Sequence, residues 1–582
     1  MSATGERNAL DHPMTLLDHA RRTPHEPLPD SDVHQDSRNP DGARALWAVL
    51  REFVDDPGLS PRDLHERCTR VRFSARNVSR AVRDGVPESS ARLLRAARWL
   101  VTNGTDRRAV LLGLGLLDGN AGPDDGPVIR TIGLLPFAGR AAAEVLAKIP
   151  TAARDLIWLA ERSHPSTRHY ALTTLAGNAD PVVRQWVLSA PRDLLSSALA
   201  RRIAEQYSLA EALGRADVDD RTWDQAGTLL IAMTSTRNHR YEIHQYGPAV
   251  AVYRRWVELA GTRPAMLERA ALLASVAEDL CTGPAAPVVG DLRAGLIGRI
   301  DAVLASAPWV AAVDRAASSA DPVEARRAAW ILGRAGGGIP GERFAVRVVV
   351  PDPVPDGFPQ VEARIVIDGR PIVAAAFDKG PAEQPERLLG GRRLRATVEP
   401  REVRLAEAYC TEGCCGGLYV TIVRDGSGVL WKDWRSSMPG DPPPDVRFDA
   451  ARYDRELARA EQDHGWEWPA RTAARRIVER LTADPTVLGR WDCSPGWCHA
   501  WLKDFDVVRF TFGYPAGART LRDPSIQFGQ VIEVNGRDPE VVAAEFVESM
   551  RDTDPKSLAE MVGGSRDAAG ELGLVYRAPS RW

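Results

Sequence analysis

The stretch "DPVEARRAAWILGRAG", residues 321–336, shows most clearly the pattern that decides the fold of the first half of the chain. Asp321 is of a residue type that caps helices, and Pro322 follows at the position where a helix tolerates proline best. Arginines come next, then small and aliphatic residues that can form one apolar face, and Gly333 and Gly336 lie near the end. The stretch therefore predicts a short capped helix that packs one face against other helices.

The same order of residues recurs elsewhere in the first half, as "DPVVRQWVLSA" from Asp180, "HPSTRHYALTTLAG" from His164 and, more loosely, "DRRAVLLGLGLLDG" from Asp106. A recurring helical pattern is typical of stacked repeats. This one resembles the second helix of HEAT-type repeats, which carries Asp-Pro, an arginine and an Ala/Leu stripe. The resemblance covers about residues 46–336, with irregular spacing and a departure over 205–260. It implies an α-solenoid whose concave face binds a partner.

Composition is that of an ordinary globular protein, and it excludes several classes. A chain of 582 residues predicts two to four domains. A formal net charge of −3 gives no overall attraction to nucleic acid or to an anionic membrane. Seven cysteines in such a length do not form a secreted disulfide framework. Lysine supplies only five of the 75 basic residues, a bias that favours a GC-rich bacterial genome.

The N-terminal residues and the distribution of apolar residues predict a cytoplasmic protein with reduced thiols. The opening "MSATGERNALDHPMTLLDHARR" has no apolar segment after a basic start, which a secretory signal would need. No run approaches the ~20 apolar residues that a membrane-spanning helix requires. We therefore expect no membrane association.

Near residue 340 the pattern changes from helical spacing to runs of β-branched residues. "ARIVIDGRPIVAAAF", residues 363–377, and "LYVTIVRDGSGVLWKDW", residues 418–434, each place Asp-Gly between apolar runs, which predicts hairpins turning at Asp368-Gly369 and near Asp425-Gly426. Helical segments and further strands follow, among them a helix capped by Asp538. The predicted fold is multidomain, with an all-α HEAT-like solenoid followed by an α+β domain containing antiparallel hairpins.

These patterns predict four segments. Residues 1–44 are interpreted as a disordered leader, because they are rich in Asp, Pro, Ser and His. Residues 45–338 are predicted to form the HEAT-like helical domain, 339–438 a mainly β subdomain, and 439–582 an α+β subdomain that packs with it. The second half, with its "EAYCTEGCCGGLYVTI" segment at 407–422, resembles a group of uncharacterised actinobacterial proteins. That resemblance supports the two-part architecture and implies no activity.

Two short segments of the second half carry five of the seven cysteines. Zinc prefers thiolate and imidazole ligands delivered in pairs by tight turns. Glu412 to Gly417 is predicted to form one such turn, and Ser494-Pro495-Gly496 another. The spacings C-x3-C-C and C-x4-C-H differ from the paired C-x2-C of common zinc sites. The candidate ligands of a structural zinc are Cys410, Cys414, Cys415, Cys493, Cys498 and His499.

Two other interpretations of these cysteines stay open. They can be buried and inert, because free cysteine packs like a small apolar residue. They can also be redox active, with Cys410 and Cys414 or a pair across the segments as partners, since a disulfide between adjacent Cys414 and Cys415 would be strained. Reactivity would require a lowered thiol pKa, and no Lys or His lies near Cys414 in the sequence.

A strongly basic stretch, residues 61–85, raises the alternative of a phosphate-binding face on the first repeats. Aromatic residues that would stack on bases are few there, so a solvated helix face is the favoured explanation of the arginines. The weak candidates for nucleic-acid contact are Arg72, Arg76, Arg80 and Arg83.

The sequence favours a non-enzymatic scaffold that binds a protein partner along the solenoid surface. A first alternative is an enzyme, or a redox or zinc protein, centred on the C-terminal cysteine segments. A second is a protein that associates with nucleic acid through the arginine-rich first repeats. No catalytic residues are assigned.

Overall fold

The computed structural model describes residues 14–24, 41–71, 73, 77–78, 81, 91–176, 178, 180–189, 197–235, 241–334, 338–353, 360–436, 442–518 and 523–576. The chain divides into two compact units, residues 1–232 and 233–582. The predicted boundary at 338/339 therefore lies inside the second unit.

The first unit consists of helices, and its described residues contain no strand. The helix Gly42–Asp55 shows why: Leu46, Leu50 and Phe53 are spaced by four and three residues and are all buried. The helices of this unit are Leu16–Arg22, Gly42–Asp55, Pro61–Cys68, Ala91–Asn103, Arg107–Leu117, Gly126–Ile132, Gly139–Ala147, Ala153–Arg162, Pro165–Leu175, Pro181–Ser189, Ser197–Gln206, Leu209–Gly214 and Asp220–Met233, which ends at the border of the unit.

Part of the predicted leader is folded. The helix Leu16–Arg22 is capped by Thr15, and its Leu16 and Leu17 are buried. The backbone N–H of Leu16 also donates to the Gly104 carbonyl at 2.9 Å. Composition alone does not predict this helix, because apolar residues are few in the segment as a whole. Residues 1–13 and 25–40 lie outside the described residues.

Helix capping by aspartate is confirmed. The side chain of Asp321 accepts the Val323 N–H at 2.8 Å, and Asp106 accepts the Arg108 N–H at the same distance. Asp180 accepts the Val182 N–H at 2.9 Å. These bonds satisfy donors that the first turn of a helix leaves without an intrahelical partner.

Among the described residues of the second unit, six α-helices precede the first strand: Ala249–Ala260, Leu267–Thr282, Ala286–Val289, Arg293–Leu304, Ala307–Ala317 and Pro322–Leu332. They are bonded directly to the β region. Arg293 donates to the Gly369 carbonyl at 2.7 Å, and Arg327 forms a buried bidentate pair with Asp352 at 2.6 and 2.8 Å. Both side chains of the Arg327–Asp352 pair are buried. Replacing either one with a neutral residue would therefore leave the other as an uncompensated buried charge.

Eleven described strands form three antiparallel sheets. Their orders are β1-β2-β3, β4-β5-β6-β7 and β11-β10-β9-β8. The strands are β1 Phe344–Val349, β2 Glu362–Ile367, β3 Arg370–Pro371, β4 Arg401–Glu407, β5 Gly417–Asp425, β6 Gly428–Ser436, β7 Val446–Asp449, β8 Ser494–His499, β9 Val507–Tyr514, β10 Ile526–Glu533 and β11 Glu560–Gly563.

The helices among these strands are Ile372–Ala376, Glu412–Cys415, Ala450–Gln462, Pro469–Ala483, Thr486–Gly489, Pro539–Asp552, Pro555–Leu558 and Arg566–Glu571. The predicted hairpins are confirmed: β2 and β3 are joined by Asp368 and Gly369, both at positive φ. Strands β5 and β6 pair around Gly426, which also has positive φ. An all-α first half followed by an α+β domain with antiparallel sheets is therefore the observed fold class.

Two apolar cores hold the β region. The first lies under β4–β7, where the Phe344 and Tyr453 rings stack 4.5 Å apart and the Tyr453 hydroxyl donates to the Leu394 carbonyl at 2.6 Å. The second lies under β8–β11, with the stacked rings of Phe512 and Phe528 at 5.3 Å. The two cysteine segments belong to different cores, since Cys410 and Cys415 pack on the first and Cys493 and Cys498 on the second.

Candidate metal centre

Three cysteines converge on the connection between β4 and β5. A single helical turn, Glu412–Cys415, fills this connection, and the Thr411 carbonyl accepts the N–H groups of Cys414 and Cys415, both at 3.1 Å. This tight turn places the three Sγ atoms of Cys410, Cys414 and Cys415 within 4.8 Å of one another. The predicted turn is thus a one-turn helix that gathers its thiols at one point.

Two glycines allow the loop to be this compact. Gly416 ends the turn with φ of +84°, a conformation that favours glycine, and its carbonyl accepts the Ala408 N–H at 2.9 Å. On the other side, Gly380 lies so close to the loop that a Cβ there would sit 1.7 Å from the Glu407 carbonyl oxygen. The Gly380 carbonyl in turn accepts the hydroxyl of buried Tyr241 at 3.1 Å. Gly380 thus packs against the start of the loop, and Tyr241 of the same unit holds Gly380 in place.

One guanidinium ties the loop to the sheet. Arg404, on β4, donates to Glu383 at 2.6 Å and to Glu412 at 2.7 Å, and it pairs with Glu407 at 2.6 Å. Glu407 also accepts the Glu412 N–H at 2.9 Å. Charge-assisted bonds of this kind have strict geometry, so they fix the start of the helical turn relative to β4.

Tyr419 on β5 and Arg435 on β6 hold Glu412 from its other side. The Tyr419 hydroxyl donates to Glu412, and the Arg435 guanidinium lies 3.8 Å from the centre of the Tyr419 ring. Hydrogen bonds from Tyr419 first and then from Arg404 keep the pKa of Glu412 below its ordinary value. Glu412 therefore stays ionised and continues to anchor the loop through Arg404 at neutral pH.

The thiols are accessible and mutually coupled. Cys414 is exposed, and Cys410 and Cys415 are half-buried. The neighbouring thiols of Cys410 and then Cys414 raise the pKa of Cys415 to about 11, since they hydrogen-bond with it and would repel its thiolate. Three thiolates this close repel one another, so they can all be present only when a cation is bound. Without a cation, the thiols keep their protons.

The sulfur separation fits a metal ion. Zinc–sulfur bonds of about 2.3 Å at tetrahedral angles place neighbouring sulfurs ~3.8 Å apart. The Sγ atoms of Cys414 and Cys415 are 3.8 Å apart, and Cys410 Sγ lies within 4.8 Å of both. Among the described residues, no His, Asp or Glu ligand atom joins this cluster. The three thiols could thus supply three ligands and leave a fourth position exposed.

The other candidate ligands lie elsewhere. Cys493 is buried and its Sγ is 3.4 Å from the Trp491 carbonyl oxygen, while Cys498 Sγ is 3.5 Å from that of Ala474. Burial raises the pKa of the Cys493 thiol to about 11 and raises that of Cys498 as well. Neither Cys493, Cys498 nor His499 is part of the cluster around Cys414. Of the six candidate ligands, the described structure brings together Cys410, Cys414 and Cys415 and leaves the other three apart from them.

The predicted turn at Ser494-Pro495-Gly496 is wrong, because these residues begin the edge strand β8. The pairing of β8 with β9 shifts between Pro495 and Cys498, and Gly496 lies against Thr511, where a Cβ would be 2.4 Å from the hydroxyl oxygen. Proline and glycine here mark an irregular edge strand in close contact with its neighbour, which the sequence pattern alone does not separate from a turn.

His499 lies beside an ion pair between buried Arg471 and exposed Glu386. Arg471, 3% exposed, donates twice to Glu386, at 2.6 and 2.7 Å. Burial and then the Arg471 charge lower the pKa of His499 to about 4. The imidazole is therefore neutral near pH 7, which is the form that binds metals. Its ring contacts that of Trp501, with 5.8 Å between the ring centres.

The four arginines proposed for nucleic-acid contact, Arg72, Arg76, Arg80 and Arg83, lie outside the described residues. In the described parts of the chain, no single helix has the length and apolarity needed to cross a membrane. One pair, Leu267–Thr282 with Ala286–Leu304, meets those criteria only when taken together and is bent by 75°.

Comparison with known proteins gives no relative on which to base an assignment. No protein-family model, curated protein or solved structure matches the chain.

Proposed function

We propose that Cys410, Cys414 and Cys415 bind one zinc ion through three thiolates, with the fourth coordination position open to an exchangeable ligand. The observation that carries the proposal is the convergence of three Sγ atoms within 4.8 Å of one another on a partly exposed turn. Soft thiolates favour zinc and copper(I) over magnesium or calcium. An open fourth position is typical of zinc sites that exchange a ligand, whereas structural zinc sites are closed by four protein ligands.

The raised pKa of Cys415, about 11, works against a redox role for that thiol. Thiol–disulfide exchange needs a thiolate near neutral pH, and burial or neighbouring thiols work against it. A divalent cation removes this obstacle, because it stabilises all three thiolates at once and releases their protons. The cluster is thus better suited to hold a cation than to attack a disulfide.

Hydrogen bonds and ion pairs fix the conformation of the cysteine loop before any metal binds. Arg404 and its three glutamates hold the turn from β4, and Tyr419 supports Glu412 from β5. Bonds that orient ligands from behind raise metal affinity by fixing their geometry before binding. The protein-partner function predicted for the helical repeats stays a prediction that no described contact tests.

The test is metal binding by the full chain with its thiols reduced under anaerobic conditions. We expect one zinc per chain by elemental mass spectrometry, and cobalt(II) substitution should give thiolate charge-transfer absorption. Adding imidazole should shift the cobalt ligand-field bands, because the fourth position accepts an outside ligand.

The matched control is Cys68→Ala, since Cys68 is a buried thiol in the first unit. It should leave zinc content unchanged, whereas Cys414→Ala should abolish it without unfolding the protein, because Cys414 is exposed. Reduced protein that binds neither zinc nor cobalt would refute the proposal. Zinc binding with cobalt bands that do not respond to imidazole would refute the open position alone.

A further inference from the structure

A cavity of about 240 Å³ lies in the first unit, among the helices Pro181–Ser189, Ser197–Gln206, Leu209–Gly214 and Asp220–Met233. Most of this region falls in residues 205–260, where the sequence departs from the repeat pattern. Its volume is somewhat below the ~300 Å³ at which pockets for drug-sized molecules begin. The cavity is therefore of a size for a small metabolite.

The lining of the cavity is part apolar and part polar. The apolar part consists of buried aliphatic residues from all four helices and the connection between the last two: Val187, Ile203, Ala204, Leu209, Val218 and Leu229. The apolar part of the lining takes an apolar ligand body more readily than water, because water would lose hydrogen bonds there. This wall selects for hydrocarbon or aromatic groups.

Two polar groups of the lining have no hydrogen-bond partner. Gln225 is 5% exposed, and its buried Nε2 donates to no acceptor. The hydroxyl oxygen of Tyr207 is also buried and unpaired. Native proteins pair nearly all such groups, since an unpaired buried donor is destabilising. Both groups are therefore available to donate hydrogen bonds to a ligand in the cavity.

The mouth of the cavity carries charges of both signs, because Arg184, Arg215, Asp217 and Asp219 line it and are exposed. Arg184 is exposed and forms no ion pair with a carboxylate in the part of the chain that the structure describes. Tyr207 lines the same cavity. Burial raises the pKa of its hydroxyl, and the positive charge of Arg184 opposes that shift. Asp219, also at the mouth, is already used in accepting the Thr222 N–H at 2.7 Å.

We propose that this cavity binds a small organic carboxylate. The apolar body would fill the aliphatic interior, and the carboxylate would accept hydrogen bonds from Arg184, Tyr207 and Gln225. The site is independent of the cysteine cluster, because it lies in the other unit of the chain.

The experiment is ligand-observed fluorine NMR with the full chain. The probes are para-fluorobenzoate, para-fluorophenylacetate and a trifluoromethyl-terminated hexanoate, with para-fluorobenzamide as the uncharged counterpart of the first. At least one carboxylate should show line broadening that an excess of its unlabelled analogue reverses. If para-fluorobenzoate is a carboxylate that binds, para-fluorobenzamide should bind at least about tenfold more weakly. The benzamide lacks the negative charge that pairs with Arg184.

Three variants make the result specific. Leu229→Trp and Ala212→Phe fill the cavity from different helices, and each should abolish binding when its circular dichroism and melting temperature match the parent protein. Arg184→Gln should weaken binding about tenfold, because one charge-assisted contact is lost. The matched control is Arg202→Gln, an exposed arginine of the helix Ser197–Gln206 that does not line the cavity.

No broadening with any of the three carboxylates would overturn the proposal. So would binding that survives both cavity-filling variants in their folded form, because the carboxylate would then sit elsewhere. Equal effects of Arg184→Gln and Arg202→Gln would reduce the result to nonspecific charge attraction and would also overturn it.

Discussion

The two cysteine segments are alike in sequence and opposite in structure. Each contributes closely spaced cysteines beside glycine, but Cys410, Cys414 and Cys415 meet on a partly exposed one-turn helix. Cys498 and His499 lie in succession on the strand β8, where neighbouring side chains point to opposite faces. A helical turn gathers close neighbours, while a strand separates them. Local backbone conformation therefore decides which cysteines can share an ion.

The largest expected difference between the segments is in metal content. Cys415→Ser should reduce bound zinc from one per chain to none, because two thiolates do not hold zinc against dilution. Cys493→Ser should leave the zinc content at one per chain and lower the melting temperature, since it places a hydroxyl in a buried site. Loss of zinc in the folded Cys493→Ser protein would show that the segments act together.

A large effect of pH is expected on the cysteine cluster. Binding displaces up to three thiol protons, so affinity for zinc should rise by up to about tenfold per pH unit for each proton released, as pH goes from 6 to 8. Competition with a chromophoric chelator measures this slope. A flat profile would contradict thiol ligation.

The metal-free protein should respond to pH in the opposite direction. The pKa of Cys415 in the folded state is raised from 9.0 to about 11, so the folded protein retains a proton that the unfolded chain has lost. Stability from this group is complete below pH 9 and falls as pH rises through 11. Urea unfolding of metal-free protein across this range should show the decline, and Cys415→Ala should reduce it.

An intermediate effect is expected from the bonds behind the loop. Arg404→Gln keeps all three thiols but frees the turn from Glu383, Glu407 and Glu412, so zinc affinity should fall by about 10- to 100-fold. The control is Arg447→Gln on β7, which breaks an exposed pair with Asp425 in the same sheet. If both variants bind zinc like the parent protein, Arg404 does not preorganise the site.

The smallest effect should come from Cys498. Its Sγ contacts the Ala474 carbonyl in the second core, so Cys498→Ala should cost about 1 kcal/mol of unfolding free energy for the small cavity it leaves. Zinc affinity should not change. Chemical denaturation and chelator competition on the same sample separate the two outcomes, and a change in affinity would place Cys498 near the metal.

Local signals predicted much of the fold. Asp-Pro helix starts and Asp-Gly hairpins are correct because they depend on residues within a few positions of each other, as at Asp321 and Asp368. The cluster around Arg404 could not be predicted, since Glu383 and Glu412 come from segments that meet only in the folded sheet. Nor could the environment of Cys493 and Cys498, because it depends on the register of an edge strand.

The measurement that tests the central claim most directly is X-ray absorption at the zinc edge on the reduced full chain loaded with one equivalent of zinc. Three sulfur neighbours at about 2.3 Å and one nitrogen or oxygen neighbour are the predicted result. Four sulfurs would contradict the open position and would bring a further thiol into the site. A shell of nitrogen and oxygen alone would contradict zinc binding by the cysteine cluster.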